Sequence, residues 1–547
     1  EKTSLTLDLK DKKSQIVKIN AKVSEESIGQ DFIEISLANG DFTMSDVTHI
    51  DVLPNNPYTT ISQKHTLESK KTLSLENPKN YVKDSESSYI VVSQKPIMSI
   101  YHRLKWLIRY PYGCIEQTTS SVMPQLFLST LSNADFIDKP SIVKNINAGI
   151  ARISTFQTSD GGFAYWQGES QSNFWGSAYA GHFLLLAKKQ GYYVPESVLK
   201  KWISYATYDA QGNGSVYLLY LLSLAGKPQI GLLNNIYEHH LSKLEVSDKW
   251  LLAAAYSLAG MDEIAKKITK DLPTKATKRN NSYYDFSYGS TLRDDAMILN
   301  AFSEIYKAPH KELLSHILGQ LESDKWYSTQ TLGYSLLAIA NTIPQEQTEV
   351  KNFSFKFDGK SYESADSIKL PFDSQKAKFS STSDFPLYIN HIWDGILLEK
   401  DIAARAEKIA LEREFLDENG KALDVSTLDS VKSFYLVLRL KNADENTPVS
   451  VRNVAITQNL PSGWEIENIR LNDDNLPDFV RNDSITYTDI RDDKIMWFLD
   501  FNSQSRKMFV KINTITPGNY LLPPATAEAM YDNSFRANTT AMPVIVK

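Results

Sequence analysis

The sequence predicts a multidomain α+β protein in which a long all-helical region interrupts a small β domain, with further β domains before and after it. Three observations lead there. The chain has 547 residues, too many for one compact core on the usual scale of roughly 100 to 200 residues per domain. Its apolar periodicity changes from the strand to the helix repeat near residue 97 and back again after Pro344. The strand-rich stretches that flank the helical region are each too short to hold a core alone, which makes them two halves of one domain.

The elements follow in order. Residues 1–54 alternate in the strand manner, as in Ile16, Val17, Ile19, Ala21 and Val23 and again in Phe32, Ile33, Ile35 and Leu37 before the turn Asn39-Gly40. They form the end of a β domain. Residues 55–96 are a second strand-rich stretch, closing on the β-branched run Tyr89, Ile90, Val91 and Val92. In residues 97–344 the helical stripes begin with Ile97, Tyr101, Leu104 and Ile108 on one face, stopped by Pro111. Val143, Ile146, Ile150 and Ile153 make the next stripe, then Phe174, Ala178, Tyr179, His182, Phe183 and Leu186. Pro195 opens a helix carrying Val198, Leu199, Trp202 and Ile203, and later stripes fall at Leu313, Ile317 and Leu321 and at Leu332, Leu336 and Ile339. Breaks such as Asp160-Gly161-Gly162 and Gly212-Asn213-Gly214 separate them. Helical hairpins in this order suit an α/α toroid, though hairpin order alone does not distinguish a closed toroid from an open stack. Strands return in 345–395, where Phe353, Phe355 and Phe357 precede Asp358-Gly359. Residues 396–547 are again β, with Phe434, Leu436, Leu438 and Leu440 alternating, and are long enough for a sandwich of their own.

Composition excludes several function classes. Hydrophobic residues at 42% and charged residues at 23% are ordinary for a globular protein. A net charge of -6 and a pI near 5.9 give no electrostatic reason to expect nucleic acid or an anionic membrane as partner. No stretch approaches the roughly 18 consecutive apolar residues of a membrane span. The start at Glu1 makes the absence of a leader uninformative about targeting. A single cysteine excludes an internal disulfide framework and a cysteine-rich zinc site, and isolates Cys114. A lone cysteine is most often an inert small hydrophobe.

Cys114 lies in Tyr110-Pro111-Tyr112-Gly113-Cys114-Ile115-Glu116-Gln117-Thr118-Thr119-Ser120. A thiol at i and a side-chain amide at i+3 meet over one helical turn, so the Cys114 sulfur can attack the Gln117 carbonyl, expel ammonia and close a thioester. Gly113 lets the backbone turn just before the helix. The helix N-terminus supplies donors and a partial positive charge expected to favour the thiolate.

Tyr-Gly-Cys-Ile-Glu-Gln-Thr-Thr after an amphipathic helix resembles the thioester motif of alpha-2-macroglobulins and complement proteins. The segments Gly161-Gly162-Phe163-Ala164-Tyr165-Trp166, Trp175 through Leu184, and Ser328-Thr329-Gln330-Thr331-Leu332 are similar to thioester-domain segments. Thr516-Pro517-Gly518, Leu522-Pro523-Pro524 and Met530-Tyr531-Asp532 through Arg536-Ala537 are similar to the last macroglobulin-like domain of the bacterial members. The resemblance implies a CUB domain (55–96 and 345–395) interrupted by an α/α-toroid thioester domain (97–344), with macroglobulin-like β domains at 1–54 and 396–547.

What the resemblance implies functionally is a protease inhibitor and not an enzyme. A protease cuts a bait region, and the exposed Cys114–Gln117 thioester acylates a lysine of that protease. The bait region is expected upstream of this chain. No cofactor and no metal are expected, the bacterial members are mostly periplasmic and often lipid-anchored through the N-terminus of the full protein, and monomer is the family default. A thioester needs shielding from water. Tyr112 is adjacent, Glu116 stands within the motif, and Tyr531 holds the position where family members bring a tyrosine across the site. A tyrosine packed in its own sandwich is the equally weighted reading of Tyr531, and a first-turn helix acid is the plain reading of Glu116. Asn300, in Asp295-Ala296-Met297-Ile298-Leu299-Asn300, is aligned with the histidine with which complement-type members take up the acyl group. An asparagine there implies direct aminolysis, with amines preferred over glycerol, and the plain alternative is a polar residue on an exposed helix face.

Other candidates are weaker. His239-His240 beside Glu238 lacks the spacing of a helical zinc pair. His102 precedes Cys114 by twelve residues, yet a capped or core histidine is the commoner case. Sequons such as Asn538-Thr539-Thr540 are common by chance. A cysteine protease or transglutaminase would pair Cys114 with a histidine, but the surrounding signature is missing. An α/α-barrel glycosidase or cyclase would use Asp294-Asp295, but neighbours on a helix point apart and a solvated face is the simpler expectation. A thioester adhesin shares the reactive group but not the surrounding domains.

Overall fold

The structure, a computed structural model, describes residues 4–7, 14, 16–17, 29–40, 42–52, 58–79, 81–82, 85–94, 103, 107, 113–127, 139–279, 287–323, 325–342, 352–365, 367–396, 404–467 and 477–547. Tyr112, His102, Ile19, Ala21, Val23 and the stripe at Ile97, Tyr101, Leu104 and Ile108 lie outside them.

The first strands among the described residues form an antiparallel hairpin of β1 (Gly29–Asn39) and β2 (Phe42–Val52), turned at Gly40 with φ 57°. Phe32, Ile35, Leu37, Phe42 and Met44 are exposed on it.

Strands from both sides of the helical region interleave. β3 (Tyr58–Leu67), β4 (Thr72–Glu76) and β5 (Ser87–Ser93) precede the helices. β6 (Phe353–Phe357), β7 (Lys360–Ser364), β8 (Ser367–Pro371), β9 (Lys376–Ser381) and β10 (Leu387–Ile396) follow them. They form two four-stranded sheets, ordered β3-β10-β5-β8 and β4-β9-β6-β7. β10 inserts between β3 and β5, with His391 opposite Gln63 on one side and Ile90 on the other. Leu75, Ile90 and Val92 from the first stretch and Phe353, Phe355, Phe379 and Ile389 from the second fill one core. Each stretch completes an apolar face that the other leaves open.

Between these halves lie α1 (Ile115–Val122), α2 (Lys139–Ser154), α3 (Phe174–Lys189), α4 (Glu196–Asn213), α5 (Val216–Leu224), α6 (Ile230–His239), α7 (Val246–Leu258), α8 (Asp262–Thr269), α9 (Thr291–Tyr306), α10 (Lys311–Glu322) and α11 (Thr329–Thr342). The odd-numbered helices pack in sequence, α1 on α3, α3 on α5, α5 on α7, α7 on α9 and α9 on α11, and α11 returns to α1. That contact closes the ring, so the toroid is closed and not an open stack. The pattern follows from composition. Inner helices such as α5 and α7 are apolar around most of their circumference, whereas α10 buries only the stripe Leu313, Ile317 and Leu321.

The C-terminal unit contains β11 (Arg405–Glu407), β12 (Ile409–Leu416), β13 (Thr427–Leu428), β14 (Ser433–Asn442), β15 (Ser450–Asn459), β16 (Trp464–Glu467), β17 (Tyr487–Arg491), β18 (Lys494–Asn502), β19 (Arg506–Thr514), β20 (Gly518–Leu522), β21 (Ala525–Ala529), β22 (Asp532–Asn538) and β23 (Met542–Val546). Ten of these strands join one sheet, and β13, β23 and β20 make a smaller one. Their inward residues, among them Phe434, Leu436, Ile456, Trp497 and Val510, share a core. A second apolar surface faces the toroid. Trp166 stacks on Tyr487 with ring centroids 4.6 Å apart and packs on Phe498 at 4.2 Å. Ala455, Met496, Phe498 and Met530 belong to the same buried cluster as the helical core.

Candidate functional site at the start of α1

Cys114 caps α1. Its backbone is extended (φ -66°, ψ 167°) and its sulfur accepts the Gln117 backbone N–H at 3.5 Å, one of the donors a helix start leaves unpaired. The Ile115 N–H donates to the Tyr165 carbonyl at 3.0 Å, which ties the start of α1 to the segment before α3. The preceding glycine admits Arg152. A β-carbon on Gly113 would lie 2.3 Å from the Arg152 Nη2, and this guanidinium donates to the Gly113 carbonyl at 3.2 Å. Gly176 does the same for the other side of α1, since a β-carbon there would meet the Ile115 side chain at 2.5 Å.

The Cys114 side chain is fully buried and Gln117 is 3% exposed. Both polar atoms of the Gln117 amide are buried without a hydrogen-bond partner among the described residues, an arrangement that ordinarily costs about 1–3 kcal/mol per group. The thiolate expected from the helix N-terminus is not what the site favours. Burial, and then the Glu116 carboxyl, push the Cys114 thiol up to about 12, outweighing the Gln117 N–H.

Glu116 is not an exposed first-turn acid. It is fully buried and accepts hydrogen bonds from the Ser120 hydroxyl at 2.6 Å, the Thr329 hydroxyl at 2.9 Å and the Tyr531 hydroxyl at 2.9 Å. Burial raises its carboxyl above the ordinary range against the pull of those donors. Tyr531 sits in the turn between β21 and β22, so the C-terminal unit reaches the toroid with the tip of a hairpin. Its hydroxyl is 2.8 Å from that of Tyr165 and 4.0 Å from the Cys114 sulfur, and its ring stacks on Tyr288 at 4.7 Å. Of the two readings of Tyr531, packing within its own sandwich does not describe where this side chain lies.

Residues 89–217 match the family model "A-macroglobulin TED domain", and residues 409–533 match "Bacterial Alpha-2-macroglobulin MG10 domain". The Alpha-2-macroglobulin of Escherichia coli K12 is 27% identical over 91% of the chain and 32% of that protein, and the Alpha-2-macroglobulin of Xylella fastidiosa Temecula1 is 24% identical over 86% and 31%. Both family models and these relatives point to the bacterial alpha-2-macroglobulin family as what the chain is similar to. The chain spans about a third of the length of these relatives. The fold agrees. Native Escherichia coli alpha-2-macroglobulin from domain MG7 to the C-terminus superposes with a TM-score of 0.79 at 22% identity, covering 95% of this chain and 88% of that one. Salmonella alpha-2-macroglobulin reacted with methylamine superposes with a TM-score of 0.82 at 22% identity, covering 95% and 36%.

Among the described residues no hydrogen bond links Asn300 to Cys114. Asn300 is buried on α9, donating to the Tyr220 hydroxyl at 3.2 Å and accepting from Asn341 at 2.9 Å, so it is not on an exposed face either. Tyr288, just before α9, is at the site, and Asn300 lies about 13 Å along α9 from its first residue, Thr291, at 1.5 Å per residue. Tyr220 and Asn341 are its hydrogen-bond partners among the described residues, and neither is one of the groups hydrogen-bonded to Cys114.

Asp294 and Asp295 correct the expectation of a solvated face. They are 3% and 4% exposed. Asp294 pairs with Arg293 at 2.6 Å and with Arg279, while Asp295 accepts the Ala276 N–H at 2.8 Å. They point apart, as neighbours on a helix must, and Asp294 lines a cavity of about 880 Å³ with Asp248, Trp175 and Tyr205. His239 and His240 end α6 on the surface. Among the described residues no three His, Cys, Asp or Glu side chains group to hold a metal, and no helix is long and apolar enough to cross a membrane. Tyr165, Tyr288, Thr329 and Ser120 were not identifiable as site residues from spacing. Tyr165, Thr329 and Ser120 lie in the family-like segments, but nothing local says that their hydroxyls converge.

Proposed function

We propose that Cys114 and Gln117 form an internal thioester with which the full protein, a broad-spectrum protease inhibitor, covalently captures attacking proteases. The observation that carries this reading is the Gln117 amide, buried without a hydrogen-bond partner among the described residues, beside a buried, neutral Cys114 thiol. The Cys114 sulfur adds to the Gln117 Cδ, the Cδ–N bond breaks, and the nitrogen leaves as ammonia with the thiol proton. The thioester needs no partner for the amide N–H groups, because they are gone. On capture a lysine Nζ adds to the same carbon, the Cδ–S bond breaks, and the amine proton ends on the Cys114 sulfur. Each chain acts once, as an inhibitor and not as an enzyme.

On this reading residues 55–96 and 345–395 are the two parts of a CUB domain around the thioester domain, and residues 1–54 and 396–547 belong to macroglobulin-like domains. Tyr531 is the shield of the thioester, with Tyr112 and Gly113 as its local support. The full protein is a periplasmic monomer, anchored through its N-terminus, whose cleaved bait region triggers exposure. Capture proceeds by direct aminolysis. Among the described residues the side chains hydrogen-bonded around Cys114 and Glu116 are tyrosine, serine and threonine, with no histidine to take up the acyl group.

Intact mass of freshly purified protein tests the reading. We expect a chain lighter than its sequence by one ammonia, which gains one methylamine and frees the Cys114 thiol. A chain of full sequence mass that retains Gln117 in peptide mapping overturns it. Equal labelling by glycerol and by amines overturns direct aminolysis alone.

A further inference from the structure

We propose that Glu116 is the catch of the Tyr531 shield, a positioning residue whose buried carboxyl holds the C-terminal hairpin across the reactive bond. The proposal rests on the thioester reading above and adds to it the device that keeps the site closed.

Tyr531 is delivered by a two-residue turn, Met530 and Tyr531, between β21 and β22. Its ring contributes the stacking on Tyr288 at 4.7 Å, and its hydroxyl contributes two hydrogen bonds, to Tyr165 at 2.8 Å and to Glu116 at 2.9 Å. The two bonds differ in kind. Tyr165 offers another hydroxyl, whereas Glu116 is the acidic partner, and hydrogen bonds to a carboxylate are the stronger class, more so in a dry interior. Glu116 is itself held from two helices, by Ser120 on α1 and by Thr329 on α11. The carboxyl therefore joins the hairpin tip to the point where α1 and α11 close the ring. It lies one residue from Cys114's neighbour Ile115 and one before Gln117, so any movement that withdraws Tyr531 breaks a bond to the same helical turn that carries the reactive pair.

A catch that acts through Tyr531 has a signature that packing alone does not produce. The test measures the second-order rate of methylamine incorporation into the uncleaved full-length protein, by intact mass, for wild type, Glu116→Gln, Tyr531→Phe and the double variant, with melting temperatures alongside. Glu116→Gln keeps the shape and neutralises the acceptor, and Tyr531→Phe keeps the ring and removes the donor. We expect each single variant to react about tenfold faster or more, the scale of one lost bond to a charged group. The double variant should react no faster than Tyr531→Phe alone, because the two residues share one bond. Wild-type rates from Glu116→Gln, or single-variant effects that multiply in the double, overturn the proposal. A folded Glu116→Gln chain that never loses ammonia would assign Glu116 to bond formation and overturn the catch as well. If Glu116→Gln does not fold, Tyr531→Phe decides, since an unchanged rate there removes the bond's importance. A wild-type chain without ammonia loss fails the thioester reading itself, which is read before any variant.

Discussion

The Tyr531 hydroxyl donates to Glu116 Oε2 at 2.9 Å across 415 positions of sequence. This bond brings a β-hairpin tip from the C-terminal unit against the first turn of the helix that carries Cys114. The shield proposed above is thus a tertiary contact between two units, and on that proposal reactivity at Cys114 depends on whether they stay docked.

Tyr531→Gly removes both the stack on Tyr288 and the hydroxyl. We expect faster methylamine incorporation into the uncleaved chain, measured by intact mass against time. Unchanged incorporation would mean that other groups shield the bond.

Trp166→Ala tests docking without touching Cys114 or Glu116. Trp166 is 4% exposed and is packed between Tyr487 and Phe498. Loss of such a side chain costs about 3–5 kcal/mol, so the C-terminal unit should part from the toroid more often. Methylamine incorporation should rise, with the α-helical circular dichroism unchanged. A wild-type rate would place the energy of docking elsewhere.

Gly181→Ala tests the packing of α3 against α4. A β-carbon at Gly181 would lie 2.0 Å from the Trp202 ring, whose Nε1 donates to the Ser177 carbonyl at 2.8 Å. Trp202 is fully buried and has little room to retreat. Overpacking of this kind costs about 1–3 kcal/mol, to be read from urea unfolding, and a neutral result would show that the ring shifts freely.

Arg293→Ala leaves the buried Asp294 carboxylate with Arg279 as its remaining cationic partner among the described residues. Arg293 is 1% exposed, donates to Asp294 at 2.6 Å, to Gln330 at 2.9 Å and to the Ser287 carbonyl at 2.9 Å, and lies over the Trp175 ring. Removing one partner of a buried pair costs about 3–5 kcal/mol. The double variant Arg293→Ala with Asp294→Ala should recover part of that loss in the same unfolding assay, and full additivity would contradict the pairing.

Acid should destabilise the interleaved β unit through His391. Burial lowers this imidazole from its usual 6.5 to about 4. Between those values the unfolded chain takes up a proton that the folded chain does not, so stability falls as pH falls from about 6.5 to about 4. Asp248, raised to about 6 by burial, works in the opposite direction between its ordinary 3.8 and that value. The comparison is therefore between wild type and His391→Gln, whose stability should depend less steeply on pH in that window. Identical slopes would remove His391 as the cause.

Much of this protein was legible in its sequence. Periodicity distinguished the strands up to Ser93 and from Phe353 onward from the helices between Ile115 and Thr342, because strand and helix place successive side chains on faces with different repeats; the expected boundaries near 97 and at 344 lie outside the described residues. The short flanking stretches had to combine, because neither could bury its own apolar face, and β10 does lie between β3 and β5. That the Cys114 sulfur meets the first turn of α1 at the Gln117 N–H was legible because the spacing is local, one helical turn. The expectation for Asp294 and Asp295 erred because helical spacing tells which way a side chain points but not whether another helix covers that side. Ring closure through α11 and α1, the burial that pushes the Cys114 thiol up to about 12, and the meeting of Glu116 with Thr329 and Tyr531 were decided by tertiary structure alone. Periodicity and spacing act within a few residues of chain, whereas desolvation and hydrogen bonding depend on what the fold brings alongside from hundreds of residues away.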